Sequence, residues 1–162
     1  MASNSNPPHG GTLIDLLVDA DRKAALKEQS KSWASLDLTQ RQLCDLELLM
    51  NGGFSPLTTF LGKTDYRRVL TDMRLSDDTL WPIPICLDVS ADFAAANKPG
   101  QTIALRDSEG VMLAALTIAE IYAPDHRAEG LGRAGRHARA WVRASVSWEP
   151  REENRRQCRT DS

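Results

Sequence analysis

The sequence predicts an α+β domain: short, mostly antiparallel strands forming a small closed barrel or a covered sheet, with helices on its flanks. An extended arm precedes the domain and an irregular tail follows it. Three observations support this. Stretches of helical period are confined to the first half of the 162 residues. Two runs after position 100, Thr102–Arg106 and Val111–Tyr122, are apolar on both faces, as a closed barrel or a sheet covered on both sides requires. After Pro124 all periodicity stops and arginine is the sole basic residue besides histidine. The length suits one domain, and a hydrophobic content of 41% supplies a core.

Residues 1–12, rich in Ser, Asn, Pro and Gly, read as the arm. From Leu13 to Gln29, Leu13, Leu16, Leu17, Ala20, Ala24 and Leu26 recur at near-helical spacing and predict a first helix. Trp33–Leu38 alternates apolar with polar residues and predicts a short strand. Thr39-Gln40-Arg41-Gln42 is a capping-box pattern, in which the Thr hydroxyl takes a first-turn N–H and the Gln side chain returns to the Thr N–H. Beyond it, Leu43, Leu46 and Met50 form one apolar stripe, with Cys44 and Leu48 on another side. A helix apolar on two sides is expected to be covered on both.

Thr64 is the expected N-cap of a further helix running to about Met73, with Tyr66, Val69, Leu70 and Met73 inward. Leu80–Val89 contains two prolines among β-favouring residues, which suits an edge strand. Lys98-Pro99-Gly100 is a turn into the Thr102 strand, and Asp107–Gly110 a hairpin loop into the next. Residues 126–162 are expected to be disordered or weakly helical.

Composition removes several function classes. No apolar run approaches the roughly 20 residues of a membrane span, and the start MASNSNPPHGG lacks the basic-then-apolar order of a secretory signal. A cytoplasmic protein with no membrane partner is therefore expected. Cys44, Cys86 and Cys158 are odd in number and far apart, with no metal-ligand spacing, and read as reduced thiols. The net charge of −2 hides an asymmetry: residues 1–125 carry 11 Lys+Arg against 17 Asp+Glu, residues 126–162 carry 9 Arg against 5 acids. Trp141 and Trp148 within that basic tail superficially suit single-stranded nucleic acid, but the adjoining body is acidic, and nucleic acid is not expected as a partner.

The stretch Asn51-Gly52-Gly53-Phe54-Ser55-Pro56-Leu57 invites comparison with a phosphate cradle. Such a cradle lies between a strand and the N-terminus of a helix, where N–H groups converge. Gly52 and Gly53 instead follow a helix and meet its carbonyl end, so they read as a helix stop. His9, His126 and His137 make no ligand pair, and Asp37, Asp45 and Glu47 read as solvated carboxylates. No catalytic, cofactor-binding or metal-ligating residue is assigned.

Pro8-His9-Gly10-Gly11-x-Leu13 and the run from Leu38-Thr39 through Arg41-Gln42-Leu43-Cys44-Asp45-Leu46-Glu47-Leu48-Leu49-Met50 to Leu57 closely resemble the N-terminal domain of ATP sulfurylase (sulfate adenylyltransferase). Tyr66, Asp72-Met73-Arg74-Leu75, Leu80–Ile85, Leu87-Asp88-Val89 and Ile103–Asp107 continue it, so the resemblance covers about residues 7–125. It implies that residues 13–125 form a PUA-like pseudobarrel with flanking helices, ahead of a separate nucleotidyltransferase domain. In that family the whole enzyme turns ATP and sulfate into adenylyl sulfate and pyrophosphate, with magnesium, and its active-site motifs, of the types QxRN, HxxH and GRDHA, lie in the second domain.

Those motifs are absent here; Gly132-Arg133-Ala134-Gly135-Arg136-His137-Ala138 lacks the acidic residue and comes too early. The switch to Arg, Ala, Gly and Trp after Pro124 is what a shifted reading frame or misassigned intron produces. The expectation is a truncated, non-catalytic N-terminal domain, inactive alone and without a cofactor of its own. The alternatives are a stand-alone module binding RNA and a module docking onto intact sulfurylase, for which Cys44 and Leu48 are candidate contacts. The resemblance leaves open whether the parent carries a fused adenylylsulfate kinase domain.

Overall fold

A computed structural model describes residues 6–123 and the backbone of residues 139–148. The first helix, α1, spans Ala20–Gln29, not Leu13–Gln29. Asp19 caps it, its carboxylate accepting the Arg22 N–H at 2.7 Å. Residues 13–19 stay outside the helix because their main-chain donors are used elsewhere: Ile14 N–H to Ser55 Oγ, Leu16 N–H to the Met50 carbonyl and Leu17 N–H to the Asp15 side chain. The extended arm therefore continues to Asp19.

A 3-10 turn, Ser30–Ser32, leads to β1, Ala34–Asp37. Helix α2 spans Gln40–Met50 and carries the full capping box, with Thr39 N–H donating to Gln42 Oε1 at 2.8 Å. Gln42, Leu46, Leu49 and Met50 are buried, whereas Cys44 and Leu48 are exposed. The second stripe of α2 is thus left uncovered among the described residues, contrary to expectation.

Helix α3 is Lys63–Asp72, and its N-cap is Gly62, two residues before the expected Thr64. Glu120 reaches across to accept the Lys63 N–H at 3.0 Å, supplying the acceptor that the glycine lacks. Tyr66 and Val69 face the core as expected, with Leu70 packed partly against it. Met73 does not: it ends the helix in the left-handed conformation, φ 53°, and its side chain is 56% exposed.

Most of Leu80–Val89 is irregular, and only Leu87–Ser90 forms a strand, β2. Ser90 then caps a short helix not anticipated from the sequence, α4, Ala91–Ala96, by accepting the Phe93 N–H. The remaining strands are β3, Thr102–Arg106; β4, Met112–Tyr122; and β5, Arg139–Trp148. Asp107 builds the β3–β4 hairpin loop by accepting the Glu109 and Val111 N–H groups.

The five strands make one sheet in the order β1-β3-β4-β5-β2, with β1 parallel to β3 and every other pair antiparallel. Strand β2 is an edge of the sheet, and Pro82 and Pro84 lie in the irregular stretch before it. On one face, Ile103, Leu105 and Leu116 are fully buried against Leu49, Met50 and Phe60. On the other, Ala104, Met112 and Ala115 pack with Leu26 of α1. Helices on both faces explain the double-sided apolarity of β3 and β4, which fits an α+β, PUA-like arrangement built as a small open sheet.

The tail differs from expectation over ten residues. Arg139–Trp148 is a strand that lies between β4 and β2. Its sequence contains the reason: Ala140, Val142, Ala144, Val146 and Trp148 are small or apolar at every second position. The other tail expectations, at residues 124–138 and 149–162, lie outside the described residues.

Candidate functional site

The most elaborate local construction is the junction of the arm with Asn51–Leu57 and Trp81. After α2, Gly52 adopts φ 82° and releases the chain from the helix. The Phe54 N–H returns to the Leu48 carbonyl, and Gly53 N–H donates to the Asn51 side chain. Ser55, almost fully buried, donates its hydroxyl to the Gly52 carbonyl at 2.7 Å while accepting the Ile14 N–H at 3.0 Å. One hydroxyl thereby ties the loop to itself and to the arm.

Both glycines at this junction are there for space as well as for backbone freedom. A Cβ on Gly52 would lie 2.4 Å from the Ile14 carbonyl, and one on Gly10 2.9 Å from the Pro56 ring, which follows a cis Ser55-Pro56 bond. His9 Nε2 lies 2.8 Å from the Leu80 carbonyl. Its ring is 6.0 Å from Trp81, against which Phe54 packs edge-on at 5.9 Å. The loop and the PHGG arm are two halves of one clasp; His9 serves it as a structural contact.

A second constellation joins α2 to β2. Arg41 pairs with Asp45 at 3.0 Å and with Asp88, while Gln42 Nε2 donates to the Asp88 carbonyl at 2.7 Å and to its side chain at 3.0 Å. Burial raises the Asp45 carboxyl above its ordinary value; Arg41 opposes the shift and Asp88 adds to it. Of the acids grouped in the sequence, Asp37 lies on β1, and Asp45 pairs with Arg41 and has the carboxylate of Asp88 as a like-charged neighbour. The contact between Gln42 and Asp88 is invisible to motif reading because the two are 46 residues apart.

Inside the core, Tyr122 donates to the Leu61 carbonyl at 2.9 Å beside the Cys86 thiol. Burial pushes its phenol up, so it stays a protonated donor. Trp81 Nε1 and Thr59 Oγ1 are buried with no hydrogen-bond partner among the described residues.

Gly52 and Gly53 sit beyond the carbonyl end of α2, where the helix dipole disfavours an anion. Arg41 and Arg68 are directed to carboxylates, not to a shared opening. Among the described residues no three His, Cys, Asp or Glu side chains are grouped to hold a metal ion, and no helix is long and apolar enough to cross a membrane. His126, His137 and Gly132–Ala138 lie outside the described residues, as do the side chains of Trp141 and Trp148.

The chain is 47% identical over 123 residues to the sulfate adenylyltransferase of Eremothecium gossypii, a match covering 75% of this chain and 25% of that protein. It is 50% identical over 125 residues to the Saccharomyces cerevisiae sulfate adenylyltransferase, covering 75% and 24%. It thus spans about a quarter of the length of these curated relatives. Among solved structures, a hexameric APS kinase from Thiobacillus denitrificans superposes with a TM-score of 0.72 at 36% identity, over 91% of this chain and 28% of the other. The family model for the PUA-like domain matches residues 6–131, most of the chain, and the chain belongs to that family.

Proposed function

We propose that this chain is the N-terminal, non-catalytic domain of a sulfate adenylyltransferase, and that adenylyl transfer from ATP to sulfate belongs to the part of the relatives that it does not match. The observation that carries this reading is the pairing of close identity with partial coverage: 47–50% identity spread over only 24–25% of the relatives' length. Physical chemistry supports the division of labour. Adenylyl transfer needs cationic groups converging on the triphosphate to stabilise charge developing at the α-phosphorus, whereas Arg41 pairs with Asp45 and Asp88 and Arg68 with Asp78. ATP and magnesium are accordingly assigned to the complementary part, and the cytoplasm is the expected location.

The test is an assay of the purified chain for ATP- and sulfate-dependent pyrophosphate release. No turnover above background is expected; sustained turnover sinks the proposal.

A second reading, docking onto a catalytic fragment or an intact sulfurylase, is favoured by one observation: Leu48 is 39% exposed beside the exposed Cys44 on α2. Co-purification with a separately expressed catalytic fragment, lost in Leu48→Asp with the domain still folded, supports it; absence of any association ends it.

A further inference from the structure

The sheet is completed by a strand that the family match does not include. The match ends at residue 131, whereas β5 begins at Arg139 and fills the place between β4 and β2. Both walls of that place, β4 and β2, lie within the match. Trp141 stands opposite Tyr122 on one side and Asp88 on the other, and Val142 opposite Ile121 and Leu87. Without this segment, two strands would face each other across a gap with a row of main-chain N–H and C=O groups unpaired.

The far wall is held in place by contacts that do not involve β5. Leu87 and Val89 are buried in the main core, and Gln42 takes the Asp88 carbonyl. Main-chain groups of successive strand residues point to opposite edges. Gln42 therefore satisfies the outer edge of β2, leaving the groups of Leu87 and Val89 for the inner one.

We propose that the space between β4 and β2 is a strand-accepting groove, which captures an extended peptide by main-chain pairing on both sides. Residues 139–148 occupy it here, and the partner it fits in trans is a peptide of the same kind, with small or apolar residues at every second position. Recognition of this type takes its affinity from the ladder and its selectivity from the alternation.

The experiment uses the full chain with Trp141→Pro and Val142→Pro combined. The two prolines remove one N–H facing each wall. In hydrogen exchange, the amides of Leu87 and Val89 should lose protection by at least ~10-fold while those of Thr102–Arg106 stay near wild type, the pattern of local rather than global opening. Adding a synthetic peptide, Arg-Ala-Trp-Val-Arg-Ala-Ser-Val-Ser-Trp, should restore the protection saturably, and the same peptide carrying the two prolines should not. Unchanged protection of β2 in the variant, or no recovery with peptide, overturns the proposal. If the variant loses protection throughout, a thrombin site placed between residues 130 and 131 of the otherwise unaltered chain decides. After cleavage the C-terminal fragment should co-elute with the body and be displaced by labelled peptide; separation of the two without uptake of the peptide overturns the groove.

Discussion

The clasp at Asn51–Leu57 and the strand at Arg139–Trp148 belong to one domain but are held by opposite means. The clasp depends on residue identity: a hydroxyl at Ser55, an absent Cβ at Gly10 and Gly52, an indole at Trp81. The strand is held by main-chain ladders to β4 and β2, which any alternating segment can form. The first kind of contact fixes a sequence and the second fixes only a pattern. This fits the extent of the family match, which contains the clasp and ends short of the strand.

Four substitutions sharpen that contrast, in descending order of effect. Leu87→Ala removes a fully buried side chain from the wall of the groove, and about 2–5 kcal/mol should be lost in chemical denaturation; a loss below ~1 kcal/mol would show that β2 is held by its ladder instead. Gly52→Ala forces alanine into a left-handed conformation and into the Ile14 carbonyl. Roughly 1–3 kcal/mol of backbone strain should accompany release of the arm, visible as new protease cleavage before Asp19.

Ser55→Ala deletes one donor and one acceptor from a buried junction, and about 1–3 kcal/mol is expected from the groups left unsatisfied. Cleavage of the arm should again rise, while exchange in β2 stays unchanged; coupled loosening of both regions would break the contrast.

The smallest effect concerns pH. Because burial raises Asp45, the folded chain holds that proton more tightly than the unfolded one, and stability falls as pH rises through the carboxylate range. Asp45→Asn should therefore raise the denaturation midpoint slightly at neutral pH, with the gain vanishing at about pH 3, where the native carboxyl is protonated too. A gain that persists in acid would trace to packing rather than ionisation.

How much of this was legible depends on the range of the interaction that decides it. The capping box at Thr39 and Gln42 is complete within four residues and reads directly. So does the Gly52 helix stop, and the hairpin at Asp107. The start of α1 does not, because the competitor for the Ile14 N–H is Ser55, 41 residues away. Thr64 outranks Gly62 as a cap on propensity alone, and only the fold brings Glu120 to Lys63. In the tail, Arg139 and Arg143 drew attention to charge and hid the alternation between them. The double stripe on α2 was legible, but not that its second side stays uncovered among the described residues, where Cys44 and Leu48 face outward.

The sheet order also carries a consequence for synthesis. Among the described residues, strand β1 pairs only with β3, about 70 residues later, and β2 only with β5, about 50 residues later. As the polypeptide leaves the ribosome, both edge strands emerge well before their partners and wait unpaired. The helix-rich first half can organise from local contacts, but the sheet cannot be completed until residues 139–148 are made. A pause in translation near position 100 would lengthen the interval in which other chains compete for those edges.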